Sequence, residues 1–326
     1  MVKKIRLSLG TAIELGLEVG EKDSNFLTIF LMTYYEGKCK ANCAFCPQAR
    51  DSTAASDRLS RISWPEYTLD SVLEHWPSPG KFRRICIQTI CYDKVVDDVV
   101  VIVRKLREIS KLPISVAIHP LSADGMKKLE SVGVSNIGIA VDASTPELFD
   151  EIKGKTRDSD YRWNTHLAAI KTALQIFGKG RVTTHLIIGL GETEKEAVEF
   201  IFQMAKMGVN VGLFAFTNIK GTALENKMQP DISVYRRIQV IRYLIEKGEL
   251  KESQVAFNEQ GHIIINIDSK RLQDILSSGL AFQVSGCKGC NRPFYNERPR
   301  GPMYNYPRLL RDDEILKALE ESGLMG

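Results

Sequence analysis

Cys39-Lys-Ala-Asn-Cys43-Ala-Phe-Cys46 places three cysteines within eight residues and is the stretch that decides the fold. It follows an apolar run at 26–34 that has the composition of a buried strand. Cysteine thiolates are the usual ligands of 4Fe-4S clusters, and three of them can hold three irons of such a cube. The fourth iron is then open to bind a small molecule. The stretch therefore predicts a catalytic iron-sulfur site at the end of the first core strand.

Two other uses of the cysteines compete with this interpretation. The Cys-x2-Cys pairs Cys43/Cys46 and Cys287/Cys290 could together form a tetrahedral zinc site. That site would leave Cys39 without a role. A disulfide framework suits short secreted chains, whereas this chain has 326 residues and 7 Cys, an odd number. The spacing therefore favours the cluster over both.

Composition limits the class of protein. The chain is 44% hydrophobic and 26% charged, which is typical of a globular protein with one large α/β domain. Its basic start is interrupted by Glu14 and Glu18, and no stretch reaches the ~18 apolar residues of a membrane span. The net charge of +4 includes no block of Lys and Arg. We therefore expect a cytoplasmic protein with no membrane or nucleic-acid partner.

Short apolar strands alternate with amphipathic helices along the chain. This alternation predicts βα units around a parallel sheet, in the form of a partial (β/α)6 barrel of the TIM type with N- and C-terminal additions. We expect an N-terminal extension at 1–25, the barrel at 26–280, and a C-terminal tail at 281–326 that covers the barrel mouth. The predicted strands are 26–34, 83–89, 114–119, 136–141, 182–189 and 211–216.

The chemistry of such barrels collects at the carboxyl ends of the strands. Asp142 follows the fourth strand, where its carboxylate could accept both hydrogen bonds of a ribose diol or could simply solvate a loop. The fifth strand ends in Gly189-Leu-Gly191-Glu192, whose glycines permit close approach of a flat ring. Two helix starts fit the capping-box pattern, Ser144 with Glu147 and Thr193 with Glu196.

The cysteine loop, with Phe45 before its last cysteine, resembles the signature of the radical S-adenosylmethionine (SAM) superfamily. The resemblance implies that the open iron chelates SAM and that the reduced cluster cleaves SAM to a 5'-deoxyadenosyl radical. The segment 189–193 resembles the Gly-Leu-Gly-Glu-Thr segment of the sulfur-inserting members, biotin synthase and lipoyl synthase. Phe214 and Phe216 of the sixth strand then offer packing for adenine. A Gly-Gly-Glu-like turn common in the superfamily is replaced here by Gln-Thr at 88–89.

Four further cysteines suffice for a second 4Fe-4S cluster. Cys287 and Cys290, with glycines around and between them, have the pattern of a metal-binding turn. Cys86 and Cys91 are five residues apart, which is roughly 16 Å on an extended strand and too far for one cube. Either the chain turns after Thr89 or Cys86 is a core residue. We expect Cys86, Cys91, Cys287 and Cys290 to bind this auxiliary cluster.

The tail at 285–308 is rich in Pro, Asn and aromatic residues, unlike a terminal helix or a disordered polar tract. Together with the cysteine motifs, it resembles the archaeal two-protein lipoyl synthases over roughly 26–308. Bacterial lipoyl synthase has a separate N-terminal three-cysteine motif, whereas residues 1–38 here contain no Cys. Residues of the tail that could contact substrate or cover the cluster, or merely form turns, are Arg292, Tyr295, Asn296 and Arg298.

These resemblances imply a radical SAM sulfurtransferase with two 4Fe-4S clusters and SAM as cofactors. No side chain can deprotonate an unactivated C–H bond, so a radical abstracts hydrogen and the auxiliary cluster supplies sulfide. We expect a lipoyl synthase component that acts on the octanoyl-lysine of a carrier protein, with a second radical SAM protein and an electron donor as partners. The alternatives are biotin synthase acting on dethiobiotin and, from another class, a zinc-bound structural or binding protein.

Overall fold

A computed structural model describes residues 2–297 and 300–324. Its central sheet contains eight strands, β1 (Lys4–Leu7), β2 (Thr28–Thr33), β5 (Glu66–Thr68), β6 (Arg84–Gln88), β7 (Ile114–Ala117), β8 (Val134–Gly138), β9 (Val182–Ile188) and β10 (Asn210–Ala215). Two small hairpins lie outside this sheet, β3 (Arg58–Leu59) with β4 (Ile62–Ser63) and β11 (Val255–Phe257) with β12 (Ile263–Ile265).

Helices follow the strands and pack on the outer side of the sheet. The helices are α1 (Leu9–Leu15), α2 (Leu69–Glu74), α3 (Val95–Ile109), α4 (Ala123–Ser131), α5 (Pro146–Ile152), α6 (Trp163–Phe177), α7 (Glu194–Met207), α8 (Ile232–Lys247), α9 (Ser269–Leu276) and α10 (Asp312–Ser322). In α3, Val99, Ile102, Val103 and Leu106 recur with the helical period and are fully buried. Within the described ranges, no helix is both long enough and apolar enough to cross a bilayer.

The strand order confirms the predicted fold class. The order in the sheet is β10-β9-β8-β7-β6-β2-β1-β5, and the pairs from β2 through β10 are parallel. Each of the six predicted strands is therefore present, in chain order, as in a partial TIM-type barrel. β1 pairs antiparallel with both β2 and β5, so part of the N-terminal extension adds a strand to the barrel sheet.

The tail joins the first and last strands of the barrel. Ser285 Oγ accepts a hydrogen bond from the backbone N of Leu213 in β10 at 2.8 Å. Thr28 Oγ1, at the amino end of β2, donates to the backbone oxygen of Gly289 at 3.1 Å. β2 and β10 are not neighbours in the sheet. Residues 285–289 therefore bridge two strands, β2 and β10, that do not pair with each other.

A later part of the tail forms hydrogen bonds at the carboxyl ends of the strands. Thr217 Oγ1, just after β10, donates to the backbone oxygen of Asn296 at 3.2 Å. Ser60 Oγ, in the β3–β4 turn, donates to the backbone oxygen of Tyr295 at 3.0 Å. Hydrogen-bond partners at both ends of the strands thus hold the tail, and the prediction that it covers the barrel mouth stays a prediction.

Arg236 of α8 anchors the last part of the tail. Its side chain is only 1% exposed and pairs with Glu321 of α10 at 2.9 Å. It also donates to the backbone oxygen of Tyr304 at 2.7 Å and to Gln239 Oε1 at 2.8 Å. Removing Arg236 from this buried network takes a hydrogen bond from each of these buried partners.

We therefore expect Arg236→Met to lower the free energy of unfolding by about 3–5 kcal/mol. Urea unfolding followed by circular dichroism measures the change. Lys317→Ala is the matched control, because Lys317 approaches the same Glu321 carboxylate at 3.9 Å but is 70% exposed. The control should lose less than about 0.5 kcal/mol. Similar losses in the two variants would contradict an anchoring role for Arg236.

Candidate active site

A cavity of about 250 Å³ lies inside the barrel. Its walls come from the inward faces of the parallel strands, from the cysteine loop after β2, and from the tail. Every cysteine of the chain lines it, namely Cys39, Cys43, Cys46, Cys86, Cys91, Cys287 and Cys290. The fold therefore brings together in one space the thiols that the sequence spreads over about 250 positions.

Cys39, Cys43 and Cys46 form a first group, which we call the loop cysteines. The backbone N of Cys46 donates to the oxygen of Cys43 at 3.0 Å, so the loop turns tightly between these two residues. Lys38 Nζ donates to the backbone oxygen of Ala54 at 2.6 Å and thereby holds the two ends of the loop together. The loop is thus shaped by contacts that do not involve the thiols.

Burial opposes ionisation of the loop cysteines. It raises the pKa of Cys43 to about 12, and it also raises the pKa of Cys39 and Cys46. Lys153, which is only 3% exposed, partly offsets this effect by lowering the pKa of Cys39 and Cys43. Thiols in such a place become thiolates when a metal neutralises them. The donor set therefore fits three corners of an iron-sulfur cluster.

Asp142 lines the cavity at the barrel mouth, as predicted, but its carboxylate is already engaged. Lys153 Nζ donates to Asp142 Oδ2 at 2.7 Å and to the backbone oxygen of Ala140 at 2.8 Å. A ribose diol would therefore have to share this carboxylate with Lys153. Lys153 was not predicted, because a lysine that follows an amphipathic helix normally lies in solvent.

Cys91 lies beside the loop cysteines and not beside Cys86. Its backbone N donates to Cys39 Sγ at 3.1 Å, and its backbone oxygen accepts from the N of Lys40 at 2.8 Å. Burial and the nearby Cys39 raise the pKa of the Cys91 thiol, whereas the Tyr161 hydroxyl lowers it. The structure thus places Cys91 with the loop cysteines and apart from Cys86, because the chain after β6 continues toward the carboxyl end of the barrel, and which cysteines bind the auxiliary cluster stays a prediction.

Cys86, Cys287 and Cys290 form the second group, which we call the inner cysteines. Cys86 stands in β6 directly across from Ser115 of β7, whose Oγ donates to Cys287 Sγ at 3.4 Å. The backbone N of Cys290 donates to the oxygen of Cys287 at 3.0 Å in a tight turn. Burial raises the pKa of Cys86, and the nearby Cys290 and Cys287 raise it further. The inner cysteines therefore face one another across the same space.

Two guanidinium groups flank the inner cysteines. Arg84, which is buried, donates to the backbone oxygen of Lys288 at 2.9 Å. The Arg292 guanidinium lies 4.1 Å from the ring centre of Phe214. Burial raises the pKa of Cys290, while the positive charges of Arg292 and Arg84 lower it. In these contacts the partners of the two arginines are uncharged, so the positive charges are not compensated by them. The region therefore favours an anionic occupant such as a thiolate-ligated cluster.

The structure separates the two Cys-x2-Cys pairs that the zinc alternative requires. Cys43 and Cys46 lie with Cys39, whereas Cys287 and Cys290 lie with Cys86. Within 2–297 and 300–324, no three His, Cys, Asp or Glu side chains are close enough to bind a single ion. An iron-sulfur cube has no such requirement, because each thiolate binds a different iron. The arrangement is therefore unsuited to the proposed zinc site.

The Gly-Leu-Gly-Glu segment organises its own loop. Glu192 accepts hydrogen bonds from the backbone N of Gly189 at 2.6 Å, Leu190 at 3.0 Å and Gly191 at 3.1 Å. Gly189 has a φ of 102°, and a Cβ atom there would lie 2.8 Å from Pro230 Cδ. The described residues that line the cavity do not include Gly189, Gly191 or Glu192. The close approach at Gly189 is thus to Pro230, and the predicted contact with adenine stays a prediction.

The remaining predicted residues lie around the cavity. Its lining includes Phe45, Phe214, Phe216, Arg292, Tyr295 and Asn296. Arg298 lies outside the described residues. His185, which was not predicted, packs against Phe214 with 4.8 Å between ring centres, and burial lowers its pKa to about 4. A neutral imidazole and aromatic rings therefore form part of this wall.

A partial TIM-type barrel with three buried thiols in the loop after its first parallel strand is the arrangement of a radical SAM enzyme. Residues 37–204 match the Radical SAM superfamily, and the chain belongs to this superfamily. Membership implies a 4Fe-4S cluster and SAM as cofactors. The loop cysteines are the residues that fit this cluster.

Curated relatives and solved structures agree with this assignment. The biotin synthase of Clostridium botulinum (strain Alaska E43 / Type E3) is 22% identical over 77% of this chain and 74% of its own length. The biotin synthase of Acetivibrio thermocellus is 26% identical over 66% of this chain but only 65% of its own length. The FeFe-hydrogenase maturase HydG from Carboxydothermus hydrogenoformans has a TM-score of 0.54 and 17% identity, over 92% of this chain and 67% of that one. The likeness to HydG concerns the fold.

Proposed function

We propose that this radical SAM enzyme is a sulfurtransferase that inserts sulfur into the octanoyl chain of an octanoyl-lysyl carrier protein, as a component of a lipoyl synthase. The observation that carries the proposal is the second set of thiols in the cavity. Cys86, Cys287 and Cys290 line the same space as the loop cysteines. Generation of a 5'-deoxyadenosyl radical needs only one cluster, so a second cysteine site indicates a further reagent, and sulfide is the reagent that such a cluster contains.

The proposal assigns the thiols to two clusters. The loop cysteines hold the SAM-binding cluster. Cys86, Cys287 and Cys290 hold the auxiliary 4Fe-4S cluster. The proposal does not use Cys91 as a ligand of this cluster, because Cys91 contacts Cys39. When bound, the two clusters and SAM supply the radical and the sulfur, while the protein sets their separation and excludes water.

The chain's own residues shape the space between the two groups for an alkyl chain. The cavity lining includes Phe30, Val116, Ile187 and Phe214. Apolar walls of this kind bind a hydrocarbon chain without leaving polar groups unpartnered. Arg84 positions the turn between the inner cysteines through its hydrogen bond to the Lys288 oxygen. The carrier protein and a second radical SAM protein would approach from outside the barrel.

Biotin synthase acting on dethiobiotin is the second candidate, because both curated relatives described above carry that name. Dethiobiotin has a polar ureido ring, which needs hydrogen-bond partners on several sides. An octanoyl chain needs only apolar contact along its length. The apolar lining and the tail, which resembles that of the archaeal lipoyl synthases, favour the octanoyl substrate.

The experiment is product mass with both substrates. We expect the anaerobically reconstituted protein, given SAM and a reductant, to add sulfur to an octanoyl-lysyl peptide and to leave dethiobiotin unchanged. Liquid chromatography with mass spectrometry measures both products, with and without the partner protein. Cys86→Ala is the control, since it should still cleave SAM but form no thiolated peptide. Biotin formation without any mass gain on the peptide would reject the octanoyl substrate in favour of dethiobiotin.

A further inference from the structure

Two polar atoms in the wall of the central cavity are buried without a hydrogen-bond partner among the described residues, Trp64 Nε1 and His119 Nδ1. A histidine ring has a second nitrogen and a choice of tautomer, whereas the single indole N–H can only donate. Trp64 is also the more deeply buried of the two, with 1% of its surface exposed. Most buried donors in proteins are paired, so an unpaired indole N–H in a cavity wall indicates an acceptor that a ligand brings.

The position of Trp64 is fixed through its backbone. Trp64 directly follows β4, its N donates to the oxygen of Asp57 at 2.5 Å, and its oxygen accepts from Arg6 Nη1 at 2.9 Å. Gln48 Nε2, just after the cysteine loop, donates to the oxygen of Arg58 at 2.6 Å and ties the β3–β4 hairpin to that loop. Because the contacts of Trp64 use its backbone atoms, they hold the residue in place and leave the indole N–H free to donate to a ligand.

The β3–β4 hairpin lies at the carboxyl ends of the strands, because it is tied to the loop that follows β2. The inner cysteines lie toward the other end of the cavity. Ser115 donates to Cys287 Sγ and Arg84 donates to the oxygen of Lys288, and these two residues stand near the amino ends of β7 and β6. A ligand that reaches from the hairpin to the inner cysteines therefore extends along the cavity.

A neutral oxygen is the acceptor that suits the indole N–H. An anionic ligand group would pair more strongly with Arg84, Arg292 or Lys153, which also line the cavity. The lining further includes the apolar side chains of Leu59, in the same hairpin, and Phe30 of β2. An octanoyl-lysyl chain combines one neutral polar group, its amide, with an alkyl chain. Its carbonyl oxygen can accept from the hairpin while its alkyl end extends toward the inner cysteines.

We propose that Trp64 Nε1 donates a hydrogen bond to the amide carbonyl oxygen of the octanoyl-lysyl substrate and that Trp64 is thereby a specificity-determining residue. The proposal rests on the proposed function and adds the protein atom that recognises the substrate. Apolar contact is not directional, so an alkyl chain alone could shift along the cavity. One directional bond to its polar group fixes which carbons lie at the radical and which lie at the inner cysteines.

The test is the dissociation constant of two peptides for the anaerobically reconstituted protein, measured by calorimetry with SAM present and no reductant. One peptide carries the octanoyl-lysyl amide and the other carries the thioamide, whose sulfur is a poor hydrogen-bond acceptor. We expect the wild type to bind the thioamide about three- to tenfold more weakly, as for loss of one neutral hydrogen bond. Trp64→Phe should bind the amide more weakly by a similar factor and should no longer distinguish the two peptides.

A second variant removes the N–H while it keeps the shape of the side chain. It carries benzothienylalanine at position 64, in which sulfur replaces the indole N–H, and it should bind both peptides as Trp64→Phe does. Trp163→Phe is the matched control, because Trp163 packs against Phe149 and Phe200 and is not among the described residues that line the cavity. This control should keep the wild-type dissociation constants for both peptides. All variants should bind SAM as the wild type does.

The outcomes separate this contact from the proposed function. If the wild type thiolates the octanoyl peptide but both variants at position 64 still prefer the amide as the wild type does, the contact is overturned and the proposed function stands. Weaker SAM binding with unchanged peptide binding would place the acceptor on SAM and would also overturn the contact. A wild type that converts dethiobiotin and adds no sulfur to the octanoyl peptide would overturn the proposed function and this contact together.

Discussion

Replacing Cys39, Cys43 and Cys46 together with Ala is expected to abolish formation of 5'-deoxyadenosine. The loop cysteines are the thiols that fit the SAM-binding cluster, and without it SAM is neither chelated nor reduced. The fold should survive, because the loop is held by the backbone hydrogen bond of Cys46 to Cys43 and by Lys38 rather than by the thiols. Chromatography of quenched anaerobic reactions measures the nucleoside.

Iron content sharpens this expectation. The reconstituted wild type should bind about eight irons, and the triple variant about four, since each cube holds four. Circular dichroism checks that the variant is folded. Wild-type amounts of 5'-deoxyadenosine from the triple variant would rule out the loop cysteines as ligands of the SAM-binding cluster.

The fold was predictable because the strands are buried on both faces. Every residue of β2 is buried, so the strand reads as a continuous apolar run in the sequence. The strand at 136–141 was predicted less well, since β8 spans Val134–Gly138. Residues 139–141 are as apolar as a strand, but the chain there leaves the ladder for a single bridge between Asp142 and Leu186. Apolar composition shows burial and does not show where pairing ends.

The sequence also predicts the starts of helices only in part. The capping box of Thr193 with Glu196 is confirmed. The box of Ser144 with Glu147 is wrong, because Thr145 is the N-cap and its side chain accepts from the N of Leu148. Pro146 occupies the first helical position, which fixes the cap one residue before it. Ser144 Oγ is instead buried without a hydrogen-bond partner among the described atoms.

The grouping of the cysteines could be predicted only where they are close in sequence. The loop cysteines follow from spacing alone, whereas no local pattern shows that Cys287 meets Cys86 about 200 positions earlier. One signal was available in β6, whose two-residue period puts Arg84, Cys86 and Gln88 on one face. That face lines the cavity, and Gln88 Nε2 lies 3.1 Å from Cys86 Sγ. No comparable pattern in the sequence predicts the ion pair of Lys153 with Asp142, because the path of a loop determines where Asp142 lies.

Substitution of Cys86 and of Cys91 should have opposite outcomes. Cys86→Ala is expected to remove the auxiliary cluster, lowering iron from about eight to about four per chain. It should abolish sulfur insertion while 5'-deoxyadenosine still forms, because the loop cysteines are untouched. Cys91→Ala should keep about eight irons, since Cys91 contacts Cys39 through its backbone N and has no contact with the inner cysteines among its described hydrogen bonds.

The two cysteines are a matched pair, because both lie in or just after β6, both line the cavity and both are substituted by the same residue. Iron and sulfide analysis with Mössbauer spectroscopy distinguishes loss of one cluster from partial loading of both. The reverse result, with half of the iron lost in Cys91→Ala and none in Cys86→Ala, would return Cys91 to the auxiliary site and Cys86 to the core. The turn that carries Cys287 and Cys290 contacts Ser115 and Arg84, which lie on barrel strands and not at the barrel mouth. Cys86 lies within β6 beside these residues, whereas Cys91 follows the end of that strand. In the proposed function, Cys86, Cys287 and Cys290 would hold the cluster that supplies sulfide, and the loop cysteines would hold the SAM-binding cluster in the same cavity.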